Sequence, residues 1–168
     1  MIALRQSGID LKQLPPEKVE SILQEWRKTF FNRFGRPNEQ WTPEMFDWET
    51  FSFEHALYIE ADLAREAYGK LQNDQGFFIL IDSRSRRIAF ETRDGPLPPI
   101  SLLECWKDAE GGLIELYVIG LNMSWTFVLT HEGDYVGPYF SKRKWQKEDG
   151  MKQMRLDLER WGIAATTQ

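Results

Sequence analysis

Cysteine is nearly absent. Cys105 is the only one in 168 residues, so no internal disulfide can form. Histidine is almost as scarce. His55, His131 and Cys105 are the whole supply of soft ligands, which excludes a Cys/His zinc site, and no loop carries the carboxylate spacing of a harder metal. No metal or cofactor is therefore expected. Long apolar runs are missing too: stretches such as 77–81 fall far short of the ~20 residues needed to cross a bilayer. Residues 1–10 show no basic stretch followed by an apolar one, so no secretory signal is expected and the chain reads as cytoplasmic. Positive charge is not in excess. A formal net charge of −5 argues against general nucleic-acid binding, which needs clustered Lys and Arg. Gly111-Gly112 and the 133–137 stretch fit neither the P-loop nor the dinucleotide fingerprint, so a phosphate-cradling loop of those kinds is excluded.

Aromatics are what the chain has in quantity, with 7 Trp and 11 Phe in a composition that is 42% hydrophobic. A chain of this size and composition buries a core without staples, and no linker or repeat divides it, so residues 1–168 are read as one domain. Leu14-Pro15-Pro16-Glu17 marks a helix start, since proline suits the first turn and glutamate its positive end. Val19, Ile22, Leu23, Trp26, Phe30 and Phe34 then recur at three- and four-residue steps, a single apolar stripe that Gly35 and Pro37 close. After an irregular stretch over 36–53, the spacing of Ile59, Leu63, Ala67 and Leu71 predicts a second helix over 59–71.

Strands follow. Residues 77–82 are apolar on both faces and 87–92 alternate, with a polar turn between them that makes a hairpin. A proline-rich loop and a short helical turn over 101–107 lead to strands over 113–119 and 124–131. A last strand over 135–140, interrupted by Pro138, reads as an edge. Residues 142–161 read as a helix, with Gly150 inside it and Gly162 as its cap. Runs of helices and strands rather than strict alternation give an α+β class. The expected architecture is a mostly antiparallel sheet of about four to five strands, with N-terminal helices and a C-terminal helix packed mainly on one face.

Chemistry concentrates in three places. Thr130-His131-Glu132-Gly133-Asp134 puts an imidazole near carboxylates, the combination that general acid–base catalysis uses, so His131, Glu132 and Asp134 are the catalytic candidates. Against them, His131 and Glu132 are neighbours on a strand and point to opposite faces, and no nucleophile elbow accompanies them. A histidine at a sheet end also serves as a hydrogen-bonded structural residue. The second place is 37–66, where eight acids face one base for a local charge of −7, interleaved with Trp41, Phe46, Trp48, Phe51 and Phe53. Carboxylates steer an encounter with a basic surface and aromatic anchors supply the short-range energy, which selects Glu44, Asp47, Trp48, Glu49 and Glu54 as partner-binding candidates. The same pattern also arises when acids form a solvated face over core aromatics. The third is Lys142-Arg143-Lys144-Trp145-Gln146-Lys147, a basic cluster with Trp145 as a stacking face for RNA, or a solvated helix start.

Ser124-Trp125-Thr126-Phe127-Val128-Leu129-Thr130-His131-Glu132, followed by Gly137-Pro138-Tyr139-Phe140, resembles a family of functionally uncharacterised small bacterial proteins whose sheet ends in a similar pattern. That resemblance implies no activity and no catalytic residues. In size and acidity the chain is also similar to the immunity proteins of polymorphic toxin systems. The expected function is a non-enzymatic protein-binding module of immunity or antitoxin type, inhibiting a basic toxin domain such as a nuclease. A small hydrolase using His131 with Glu132 or Asp134, and an RNA-associated protein using 142–147, remain as alternatives.

Overall fold

A computed structural model of the chain describes residues 9–31, 46–52, 55–72, 75–83, 86–93, 95–107, 111–112 and 114–164. Among these described residues the frame is one antiparallel sheet of seven strands. They are β1 (Lys12–Gln13), β2 (Ile59–Glu60), β3 (Phe77–Ser83), β4 (Arg86–Thr92), β5 (Glu115–Gly120), β6 (Trp125–Leu129) and β7 (Tyr139–Lys142), in the spatial order β1-β4-β3-β5-β6-β7-β2. Among the described residues five α-helices pack on the sheet: α1 (Pro16–Phe30), α2 (Glu49–Ser52), α3 (Ala61–Gly69), α4 (Ile100–Glu104) and α5 (Gly150–Trp161). The α+β class and the antiparallel pairing stand as the sequence indicates. The strand count is higher than expected, because a two-residue strand closes each edge and two residues carry no readable period.

The expectation of helices mainly on one face is corrected. Side chains of a strand alternate between faces, and here both faces are covered. Val19, Ile22, Leu23, Trp26 and Phe30 of α1, with Phe51 of α2, form one core with Leu80, Ala89, Tyr117, Ile119 and Val128. On the opposite face Ala64, Ala67 and Tyr68 of α3, Leu103 of α4 and Leu158 of α5 pack on Ile79, Leu116, Val118 and Phe127. That is why β5 is buried at every position and why β3 reads as a continuous apolar run.

Local boundaries shift for physical reasons. Ile59 and Glu60 pair with Phe140 and Tyr139, so the second helix begins at Ala61 rather than at Ile59. β7 consequently lies between β6 and β2 instead of at an edge, and Gly133–Tyr135 winds as a 3-10 turn before it. The helix expected over 142–161 is three pieces: the end of β7, a 3-10 turn over Arg143–Gln146, and α5. Gly150 opens α5, and Gly162 closes it in the left-handed conformation (φ 69°) that glycine adopts freely. Trp26 ties helix to sheet, its indole N–H donating to Thr126 Oγ1 at 2.9 Å in the interior. No helix among the described residues is long and apolar enough to cross a membrane.

Candidate functional site

The sheet ends where β3 and β6 stop and β4 and β5 begin, and polar chemistry collects there. Asp82, the last residue but one of β3, stands opposite Glu115, the first residue of β5, so two carboxylates meet in register on the α1 side of the sheet. Both are buried. Glu115 is hydrogen-bonded to His131 Nδ1 and also accepts the Trp48 indole N–H at 2.9 Å. Asp82 accepts Arg87 Nε at 2.9 Å, while its Oδ2 has no partner among the described residues. Burial raises the Glu115 carboxyl above the ordinary glutamate range, against the pull of hydrogen bonds from His131 and Trp48. Burial likewise raises Asp82, with Arg87 opposing. The rings of Phe46 and Trp48 flank the imidazole at 5.4 and 6.3 Å between centroids.

His131 therefore has a carboxylate partner, but a different one from those its neighbourhood in sequence suggests. Glu132 is exposed in the turn that follows β6, and the side chain of Asp134 lies outside the described residues. Glu115 engages Nδ1 of the imidazole, on a side chain that is 43% exposed. Sequence reasoning missed Glu115, although a charge inside a strand apolar on both faces is itself a signal that a partner must exist.

The acidic-aromatic candidates turn inward. Asp47 is 0% exposed and takes both oxygens to Arg27, Nε at 2.8 Å and Nη2 at 3.0 Å. Trp48 is buried between Tyr139 and the Glu115 centre, its backbone N–H donating to the Tyr117 hydroxyl at 3.1 Å. These two are interior residues rather than surface contacts. Glu49 is half-buried and folds back to accept the Phe46 N–H at 2.9 Å. Glu44 and Glu54 lie outside the described residues.

A groove of about 560 Å³ opens at the same sheet end, on the other face, between α3, α4 and the loop that follows β6. Leu103, Trp106, Ile114 and Leu129 give it an apolar floor, and Asp62 and Glu104 supply carboxylates. Arg65 bridges the two acids at 3.3 and 2.9 Å. Tyr135, between the lining residues Gly133 and Gly137, is 97% exposed.

The chain matches, over residues 19–140, the family described as Domain of unknown function (DUF4275). It belongs to that family. The expected kinship with an uncharacterised family holds at that level, and the match carries no activity with it. No curated protein and no solved structure matches the chain. The DUF4275 match begins at Val19 within α1, takes in the Glu115–His131 centre and the groove, and stops at Phe140, just before the basic cluster. In that cluster Trp145 is fully buried, donating its indole N–H to Asp157 at 2.9 Å, so it presents no stacking face.

Proposed function

We propose that the chain is a binding module for a basic protein segment, of the immunity or antitoxin type, and that its contact surface is the groove between α3 and α4. The observation that carries this reading is the groove itself. An apolar floor is bordered by Asp62, which is fully exposed, and by Glu104, both paired to Arg65, and Tyr135 stands exposed in the turn between the lining residues Gly133 and Gly137. Glu60, Glu66 and Glu132 add exposed carboxylates on the adjoining elements. A tyrosine anchor beside carboxylates suits a lysine- or arginine-rich segment: charge steers the approach, and the ring and floor supply the desolvated contact. The acidic surface thus shifts from 44–54, whose described acids fold inward or back on the chain, to α3 and its surroundings. An inhibitor of a basic toxin domain would present such a surface.

The test begins with capture of a partner from native cells by the tagged chain, released by a salt step. The purified partner is then titrated against wild type, Asp62→Lys and Tyr135→Ala. Both exposed substitutions are expected to weaken binding by roughly tenfold or more, with the charge reversal acting more strongly at low salt. A purified partner that binds both variants as tightly as wild type overturns the groove assignment.

The Glu115–His131 pair supports a second reading, a hydrolase in which His131 acts as general base on water and Glu115 holds its tautomer. Hydrolysis that persists unchanged in a folded His131→Gln variant removes it.

A further inference from the structure

The opposite end of the sheet, where β7 stops and β6 begins, carries the basic cluster. Lys142, Arg143, Lys144 and Lys147 line a cavity of about 250 Å³ together with Ser124. Their compensation is incomplete. Lys142 and Lys144 share the single buried carboxylate of Asp157, at 3.3 and 2.7 Å. Arg143 reaches Glu25 only at 3.4 Å, and Lys147 is exposed. Burial, with the Lys144 and Arg160 charges, holds the Lys142 ammonium below the usual lysine range against the pull of Asp157. Four cations and no carboxylate line this cavity, on a chain whose net charge is −5.

Arg143 also lines a second cavity, of about 720 Å³, between α1 and the sheet end. Ile22, Phe78, Leu121 and Met123 give this one an apolar wall, and its charged lining includes Lys18 and Arg93 together with the carboxylates of Glu25 and Glu91. Its volume is within the range of small-molecule sites, which combine an apolar body with a few placed charges. The two cavities adjoin at one guanidinium, the side chain best suited to a bidentate hold on phosphate.

We propose that Arg143, Lys144 and Lys147 form a phosphate site, and that its ligand is of the nucleotide class, with phosphate in the cationic cavity and the nucleoside in the apolar one. Because Trp145 is buried, affinity comes from phosphate and from the apolar wall rather than from base stacking on that indole. The site is independent of the groove between α3 and α4, which lies at the other end of the strands.

The test is calorimetric titration of the full chain with ATP, adenosine, pyrophosphate and a short single-stranded RNA, at low and at physiological salt. Saturable ATP binding that weakens with salt is expected, with adenosine weaker than ATP. Arg143→Gln and Lys147→Ala are each expected to reduce ATP affinity by roughly tenfold, the loss of one charge-assisted hydrogen bond. Asp62→Lys, in the groove, is expected to leave it unchanged, so the two sites fail or succeed separately. RNA binding without ATP binding, lost in the same variants, keeps the phosphate site and assigns its source to a strand. Two results overturn the proposal: no saturable binding of ATP, pyrophosphate or RNA at low salt, or adenosine binding as tightly as ATP. Circular dichroism of each variant confirms that the fold is retained.

Discussion

Arg27 and Asp47 form a two-pronged ion pair between α1 and the turn ahead of α2, with the Asp47 side chain wholly inside and the Arg27 side chain 24% exposed. Removing Asp47 takes a two-pronged acceptor away from a partly buried guanidinium. Asp47→Ala is expected to cost about 2–4 kcal/mol in urea unfolding, somewhat below a fully buried pair because Arg27 keeps some access to water. The double substitution Arg27→Ala/Asp47→Ala should cost less than the sum of the single ones, since both single changes break the same ion pair. Strict additivity would show that the pair contributes nothing as a pair.

Two glycines make opposite tests of the helices. A Cβ on Gly150 would lie 1.7 Å from the Trp145 carbonyl oxygen, a backbone atom that cannot swing aside. Gly150→Ala is expected to destabilise by about 3 kcal/mol or more, the upper end for overpacking. A Cβ on Gly69, near the end of α3, meets nothing within 4 Å. Gly69→Ala should stabilise by about 0.5–1 kcal/mol, because alanine loses less backbone freedom on folding. Thermal unfolding of both variants decides the matter, and a loss of stability in Gly69→Ala would contradict the open space seen there.

Glu115 gives a pH dependence with a definite sign. Its folded-state pKa is raised above the ordinary value of 4.5, chiefly by burial, with nearby Asp82 adding to the rise and His131 and Trp48 opposing it. A raised pKa means that the folded state binds the proton more tightly than the unfolded state. The stability that this contributes is fully present below the unfolded pKa and is lost as pH rises through the folded one. Glu115→Gln cannot ionise. Relative to wild type, its stability should therefore improve as pH rises from about 4.5 toward neutrality, read from unfolding midpoints over that range. A difference between variant and wild type that is flat across the range would show that Glu115 does not titrate on folding.

β3, β4, β5 and β6 were legible because their patterns survive in one dimension, such as alternation in β4 and β6 and a continuous apolar run in β3, whereas β7 was read too early and as an edge. The same run in β3 held the evidence for cover on both faces, and the helices needed for that cover were present in the sequence. β1 and β2 were not legible, since Lys12–Gln13 and Ile59–Glu60 become strands only through partners on β4 and β7. His131 could be singled out by residue type. Its partner could not be found by looking nearby, because the β5–β6 hairpin brings Glu115 to it across sixteen positions. Asp47 was misjudged for a related reason. An acid among aromatics reads as a rim residue until a guanidinium twenty positions away is known to meet it.

Asp157 supplies the last test, with the opposite sign to Glu115. Its carboxylate, on α5, accepts the Trp145 indole at 2.9 Å and Lys144 at 2.7 Å, and Lys142 lies 3.3 Å away. Burial alone would raise its pKa, but these donors prevail and hold it below the ordinary value of 3.8. A depressed carboxyl contributes stability that is present above the unfolded pKa and lost as pH falls through the folded one. Asp157→Asn should therefore be clearly less stable than wild type at neutral pH, with the gap closing as pH drops below about 3.8. Asp157→Ala should be worse still, by about 3–5 kcal/mol at neutral pH, since it leaves a buried indole N–H and two ammonium groups without their acceptor. Unfolding midpoints of the three proteins from acid to neutral pH measure both effects. A gap that stayed constant down to strong acid would mean that Asp157 holds α5 by shape alone, and that Lys142 and Lys144 are not bound to it through charge.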